Sequence, residues 1–309
     1  MGQEQLDGEQ WLAWRRQQLA RGGNPADLDW LLDLAGGLPW QAQQQLRLHP
    51  RQPVVLACDL LRIEALWHRH LATAEPLQYL VGRCPWRDLE LAVGPGVLIP
   101  RQETELLVEW ALELAVPRPG LWADLGTGSG CLALALALAW PTSRGFAVDL
   151  SPQALCQANF NLEQRAAGDR VQLLEGSWWE PLRAWWGQLE LVVSNPPYIP
   201  TAVWANLDPL VREHEPMLAL DGGSDGLDAL RVLAEGAAVA LAPTGLLLLE
   251  HHYDQSEAVL DLLRLAGLED VQCHADLEAK QRFASARRAA PRSRPADQDH
   301  HFIADRHGA

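Results

Sequence analysis

Apolar residues recur at helical spacing along the first part of the chain. Leu28 and Leu31, for example, lie three residues apart and so share one face of a helix. Gly36 and Gly37 interrupt this pattern, as glycines often do between helices. We therefore predict a small helical domain over residues 1–75.

The pattern changes over residues 76–100, where short extended pieces are separated by prolines and glycines. The piece from Trp86 to Val93 is bounded by Pro85 and Gly94, which is typical of a strand pair between turns. This segment is predicted to be a hairpin-like connector.

From Arg101 onward, segments of helical length alternate with segments of strand length. The predicted helices are 102–115, 131–139, 152–164, 225–241 and 254–265, and the predicted strands are 121–125, 145–149, 171–174, 189–194, 245–250, 268–273 and 281–287. Such alternation predicts an α/β domain over residues 101–288, with helices flanking a parallel sheet that finishes antiparallel. The tail, residues 289–309, lacks apolar periodicity and is predicted to be disordered.

Composition and charge narrow the class of protein. The 309 residues are 48% hydrophobic, which is enough for a conventional core. The formal net charge is −15 and Lys280 is the only lysine, so we expect no stable nucleic-acid partner. The five cysteines are scattered without a CxxC pair, which predicts reduced thiols and no metal site. A polar N-terminus and the absence of a membrane-length apolar run predict a cytoplasmic protein without membrane association.

A glycine-rich loop lies between a predicted strand and a predicted helix. At such a junction only glycine lets the backbone turn sharply and approach a ligand closely. We predict that the loop binds a nucleoside cofactor through Gly126, Thr127, Gly128, Ser129 and Gly130. A GxGxG pattern also occurs in tight turns without a ligand, so its context has to decide.

Two residues beyond this loop supply that context. Asp149 ends a predicted strand about twenty residues after the loop, where a carboxylate accepts hydrogen bonds from both ribose hydroxyls. Enzymes that use NAD share this layout, so it does not identify the cofactor. Trp178 follows the strand at 171–174 and is predicted to lie beside the adenine, although core packing is the alternative for one of 14 tryptophans.

The sequence Asn195-Pro196-Pro197-Tyr198 directly follows an apolar strand. Open α/β sheets place their chemistry at this end of their strands. Because neither proline has an N–H, the loop presents carbonyl acceptors. The alternative is a rigid turn without a ligand.

Acceptors are what an amide or aryl NH₂ group needs, since its nitrogen is a poor nucleophile and has to be aimed. We predict that the Asn195 side-chain oxygen and the Pro196 carbonyl each accept one N–H, with Pro197 stiffening the loop. Tyr198 is expected to pack on the planar group. No base is needed beforehand, because methyl transfer itself makes the nitrogen acidic.

Together with PLQYLVG at 76–82, IPRQETE at 99–105 and HEPMLALDGGSDGLD at 214–228, these motifs resemble the HemK-type protein-(glutamine-N5) methyltransferases. The resemblance covers residues 25–288 and departs from the family pattern at Gln102 and at His251-His252. It implies a Rossmann-like class I S-adenosylmethionine-dependent methyltransferase domain with a small N-terminal helical domain that helps to recognise the substrate.

The resemblance also implies ligands and roles. S-adenosylmethionine would be bound by Gly126, Thr127, Gly128, Ser129, Gly130, Asp149, Trp178 and Asn195. The substrate would be the GGQ glutamine of a peptide chain release factor, held by Asn195, Pro196, Pro197 and Tyr198. Arg101 and Glu105 would form part of the wall that supports the pocket.

Three alternatives stay open. An adenine-N6 methyltransferase of DNA or RNA would hold its aryl NH₂ group by the same acceptor geometry. A glutamine methyltransferase of a ribosomal protein would share both fold and chemistry. A non-catalytic module could keep the cofactor site as a scaffold.

Overall fold

The computed structural model describes residues 5–290, so the predicted disorder of the tail falls outside the described residues from position 291 onward. The first part contains four helices and a two-stranded antiparallel sheet: β1 (Gln5–Asp7), α1 (Gly8–Leu19), α2 (Pro25–Leu34), α3 (Trp40–Leu48), β2 (Pro53–Val55) and α4 (Leu60–Thr73). The sheet was not part of the predicted helical domain, because strands of three residues are too short to show alternation.

Polar caps and a tryptophan-rich core hold these helices together. The side chains of Asn24 and Asp59 accept backbone N–H groups at the starts of α2 and α4, which satisfies donors that have no partner within the helix. Trp11 and Trp67 are fully buried in one cluster with leucines of α2. This part of the chain therefore has a core of its own.

The connector contains α5 (Leu77–Val81) followed by a hairpin of β3 (Arg83–Trp86) and β4 (Leu89–Ala92). The prediction of extended pieces alone is wrong at α5, since five residues are too few to display helical periodicity. The Trp86 ring is buried in the core of the following domain, and its Nε1 donates to the Arg101 carbonyl at 2.8 Å. The hairpin is thus fixed to that domain.

The remaining elements form the α/β domain: α6 (Glu105–Leu114), β5 (Leu121–Leu125), α7 (Cys131–Ala139), β6 (Arg144–Asp149), α8 (Pro152–Gln164), β7 (Val171–Glu175), β8 (Leu189–Ser194), α9 (Thr201–Trp204), α10 (Pro209–Arg212), α11 (Asp228–Ala240), β9 (Leu241–Glu250), α12 (Ser256–Leu265), β10 (Leu268–Ala275) and β11 (Gln281–Arg288). Seven strands form one sheet in the order β10-β11-β9-β8-β5-β6-β7. Strands β9, β8, β5, β6 and β7 are parallel, and β11 runs antiparallel to both of its neighbours. The predicted α/β fold with an antiparallel finish is confirmed.

Helices cover both faces of this sheet, so the central strands are buried on both sides and are apolar almost throughout. From β5 the chain crosses to β6 and β7 on one side, and then returns to β8 on the other. Parallel sheets bind ligands above the carboxyl ends of strands at such a reversal of strand order. The ends of β5, β6 and β8 therefore mark the expected site.

Two element boundaries differ from prediction. Helix α6 begins at Glu105 rather than at position 102, and β9 begins at Leu241 rather than at 245. The early residues of β9 include Pro243 and the left-handed Thr244 (φ +65°), which disguise the start of the strand as a turn. Neither difference moves a residue that was predicted to bind a ligand.

The turn between β10 and β11 lies at the same edge of the sheet, because Phe283 of β11 pairs with Glu250 at the end of β9. Lys280 ends this turn, with its Nζ 2.7 Å from a carboxylate oxygen of Glu278 and 5.7 Å from the centre of the Tyr253 ring. The chain's single lysine therefore lies on the rim of the carboxyl edge.

Candidate active site

A cavity of about 510 Å³ opens at the carboxyl ends of β5, β6 and β8. Its volume lies within the range of small-molecule sites. Seven of the residues predicted to bind cofactor or substrate line it: Gly126, Thr127, Gly128, Ser129, Asp149, Trp178 and Asn195. Pro197 also lines it, whereas Gly130, Pro196 and Tyr198 do not.

The glycine loop owes its shape to three left-handed glycines, Gly126, Gly128 and Gly130, with φ of +76°, +56° and +80°. No atom lies within 4 Å of the place where a Cβ of Gly128 would stand, so this backbone is open to a ligand. At Gly130, by contrast, a Cβ would lie 2.9 Å from the Cβ of Ala158. Gly130 therefore permits close packing of the loop on α8 rather than ligand contact.

Asp124, at the start of the loop motif, is fully buried. Its Oδ2 accepts from the Thr127 hydroxyl at 2.7 Å and from the Ala133 N–H at 3.2 Å, which fixes the turn. Burial raises the pKa of Asp124 to about 7. Its Oδ1 has no hydrogen-bond partner among the residues the structure describes.

Asp149 ends β6 beside this loop, as its position in the sequence predicts. Its two carboxylate oxygens accept backbone N–H groups, Oδ2 from Gly128 at 2.8 Å and Oδ1 from Ser151 at 2.9 Å. Burial raises the pKa of Asp149, and these N–H groups oppose the shift. Each oxygen keeps acceptor capacity beyond its one backbone bond.

The two tryptophans after β7 divide between cavity and core. Trp178 has a left-handed backbone (φ +47°) and lines the cavity, with its ring 3.3 Å from the Cβ position of Gly126. Trp179 is buried, and its Nε1 donates to the Val232 carbonyl at 3.0 Å. The geometry therefore favours a ligand contact for Trp178 alone.

Asn195 follows β8 at the cavity wall and belongs to a chain of side-chain hydrogen bonds. Its Nδ2 donates to the Thr104 hydroxyl at 2.8 Å, and that hydroxyl donates to Oε2 of Glu250 at 2.7 Å. On the other side of the carboxylate, the Tyr198 hydroxyl lies 3.4 Å from Oε1. Burial raises the pKa of Tyr198, so the phenol keeps its proton.

Glu250 and Thr104 are functional candidates that the sequence analysis missed. Both side chains are buried, and burial raises the pKa of Glu250 to about 7 although the Thr104 hydrogen bond opposes the shift. A usable signal was present for Glu250, because a carboxyl group ends the apolar strand LLLLE at the functional edge of the sheet. Thr104 gave no such signal, since threonine just before a helix is typical of an ordinary cap.

One ion pair closes the cavity from the side of α6. Arg101 lines the cavity, and its Nη2 lies 2.7 Å from Oε1 of the buried Glu215, whose other oxygen accepts from the Ile99 N–H at 3.1 Å. This clasp draws the segment after Glu215 over the cavity. Glu105, which was expected in the same wall, instead accepts from the Arg87 N–H at 2.9 Å and does not line the cavity.

Comparison with known proteins gives a consistent picture. Residues 102–222 match the family model described as "Methyltransferase small domain". The chain is 48% identical over 286 residues to "Release factor glutamine methyltransferase" of Prochlorococcus marinus, covering 92% of this chain and 98% of that protein. It is 40% identical over 296 residues to the protein of the same name in a Synechocystis species, covering 91% and 97%.

Among solved structures, the catalytic domain of hMettl16, in complex with the MAT2A 3′UTR hairpin 6, superposes with a TM-score of 0.52 at 13% identity. The match covers 77% of this chain and 84% of that domain. At this level of identity the likeness is one of fold.

Proposed function

Because the chain belongs to the release factor glutamine methyltransferase family, we propose that it methylates the side-chain amide nitrogen (N5) of the GGQ glutamine in peptide chain release factors. S-adenosylmethionine is the methyl donor, and the products are N5-methylglutamine and S-adenosylhomocysteine. The observation that carries the proposal is the placement of Asn195 and Pro197 in the same cavity wall as the glycine loop. An amide acceptor and a nucleoside site thus face one space.

The residues of the cavity fit this cofactor. A backbone free of side chains at Gly128, the carboxylate of Asp149 and the ring of Trp178 would suit the amino acid part, the ribose and the adenine respectively. The unpartnered, buried Oδ1 of Asp124 is an acceptor that would suit a cationic ligand. When bound, S-adenosylmethionine supplies a methyl group made electrophilic by its sulfonium.

The loop after β8 would hold the substrate. With its Nδ2 occupied by Thr104, Asn195 has its Oδ1 free to accept one N–H of the glutamine amide, and the Pro196 carbonyl would accept the other. These two acceptors would aim the nitrogen lone pair for in-line attack, and the nitrogen would release its proton after transfer. Because Pro197 lines the cavity and Tyr198 does not, we assign Tyr198 to the rim, against the chain that carries the glutamine.

The other parts of the chain have proposed roles as well. We assign residues 1–75 to recognition of the release factor, 76–100 to the connector and 101–288 to catalysis. No helix in the described range has the length and apolar character needed to cross a membrane. Since the proposed substrate works on ribosomes, we place the protein in the cytoplasm, with no stable nucleic-acid partner.

The direct test is to locate the transferred methyl group. Purified protein and methyl-labelled S-adenosylmethionine are mixed in parallel with a release factor, the same factor with its GGQ glutamine replaced by alanine, a ribosomal protein fraction and adenine-containing DNA. We expect label on the GGQ glutamine alone, located by peptide mass mapping, and none with an Asn195→Ala variant. Label on DNA or ribosomal protein, or equal labelling of the replaced factor, would assign the activity to another substrate class.

A further inference from the structure

Three side chains from distant parts of the sequence form one directional chain beneath the cavity wall. Asn195 lies after β8, Thr104 just before α6 and Glu250 at the end of β9. Asn195 Nδ2, Thr104 Oγ1 and Glu250 Oε2 are joined by contacts of 2.8 and 2.7 Å. Thr104 and Glu250 are each 2% exposed, so water does not compete for these bonds.

The direction of this chain follows from the number of protons available. A carboxylate only accepts hydrogen bonds, and a threonine hydroxyl has one proton to donate. Once Thr104 donates that proton to Glu250, its oxygen is left to accept from Asn195. The Asn195 amide must then turn its NH₂ group to Thr104 and its oxygen to the cavity.

An asparagine amide without such a partner can present either end, because its oxygen and NH₂ group are nearly equal in size. In the reversed orientation, the Asn195 NH₂ group would face the NH₂ group of the substrate, and two donors would meet. The acceptor that aims the nucleophile would be lost. Orientation of this one amide therefore decides whether the site can work.

We propose that Glu250, acting through Thr104, is a positioning residue that keeps the Asn195 amide oxygen directed at the substrate nitrogen. This inference rests on the proposed function, in which Asn195 accepts an N–H of the glutamine amide. The second carboxylate oxygen faces the Tyr198 hydroxyl, so both oxygens of Glu250 meet donors. The same carboxylate thus holds both ends of the Asn195-to-Tyr198 loop.

The variants that test this proposal differ by a few atoms. Thr104→Val removes the hydroxyl with little change in volume, Thr104→Ser retains it, and Glu250→Gln allows the group at 250 to donate as well as accept. The control is Ser143→Ala, which removes another buried hydroxyl, bonded to the Pro119 carbonyl at the opposite edge of the sheet. For each protein, kcat and KM for the release factor are measured, together with the Kd for S-adenosylhomocysteine.

We expect Thr104→Val to lower kcat by roughly 10- to 100-fold, the effect of misplacing a group that orients a reactant. Glu250→Gln should lower it less, by roughly 10-fold, since a glutamine still accepts in one of its two orientations. Thr104→Ser should restore kcat, and the Kd for S-adenosylhomocysteine should stay within about 2-fold throughout, as is usual when only an interaction made in the transition state is lost. A kcat for Thr104→Val like that of Ser143→Ala, a failure of serine to rescue, or a parallel loss of cofactor affinity would overturn the proposal.

A second measurement needs no substrate and so separates this proposal from the proposed function. The chain has five asparagines, so selective ¹⁵N-asparagine labelling gives few side-chain NH₂ signals, and the pair from Asn195 is the one absent in Asn195→Asp. We expect these protons to exchange slowly with water in the wild-type protein and in Thr104→Ser, and faster in Thr104→Val. Equal exchange in wild type and Thr104→Val overturns the positioning role, whether or not the release factor proves to be the substrate.

Discussion

Glu250→Gln should make the protein more stable above pH 7, while making it a poorer enzyme. The buried carboxyl group of Glu250 has its pKa raised from 4.5 to about 7 by burial. A pKa that is raised on folding means that the folded state favours the protonated form, so stability falls as pH rises from 4.5 through about 7. A rise of this size corresponds to about 3 kcal/mol. Glutamine cannot ionise, so the variant escapes this loss.

Urea unfolding of wild type and Glu250→Gln between pH 5 and 8.5 measures the effect. We expect the two free energies of unfolding to be close at pH 5 and to diverge through pH 7, with the variant ahead by up to about 3 kcal/mol at pH 8. Taking the difference at each pH cancels the contribution of Asp124, whose pKa is also raised to about 7 by burial. Glu235→Gln, on the exposed face of α11, serves as the matched control and should give no divergence. A difference between wild type and Glu250→Gln that does not change with pH would refute the reasoning.

Three further predictions concern the cofactor loop. Gly130→Ala forces a Cβ to within 2.9 Å of Ala158 at a left-handed φ, and should lower the free energy of unfolding by about 1–3 kcal/mol, as thermal or urea unfolding would show; an unchanged stability would mean that loop and helix α8 are not tightly packed. Asp149→Ala should weaken S-adenosylhomocysteine binding roughly 10-fold or more in calorimetry, since it removes charged acceptors proposed for the ribose, and unaltered affinity would remove Asp149 from the site. Trp178→Ala should also weaken binding, by roughly 10-fold, whereas Trp178→Phe should keep most of the affinity; equal losses for both would argue against ring packing on the adenine.

The parts of the site that lie close together in the sequence were the parts the sequence could predict. The glycine loop and Asp149 belong to one β5-α7-β6 unit, and Asn195 to Tyr198 are consecutive, so their chemistry is visible in short motifs. The hydrogen bond from Thr104 to Glu250 spans 146 positions and exists only when α6 is packed on β9. No local pattern encodes such a meeting.

The same reasoning explains the errors in the fold. Long periodic segments such as α8 were predicted to the residue, because thirteen positions are enough to show which face is buried. The five residues of α5 and the three-residue strands β1 and β2 fall below that limit, and their conformation depends on what they pack against. Prediction failed where tertiary contacts outweigh local preference.

The single lysine on the rim of the carboxyl edge gives the protein a natural place for one optical label. Amine-reactive dyes would attach at Lys280 and otherwise only at the terminal amine, without any engineered residue. The Lys280 side chain is 44% exposed and close to the Tyr253 ring, so a dye there would lie at the mouth of the site and away from its interior. Its fluorescence would report the arrival of a protein substrate in real time, independently of whether a methyl group is transferred.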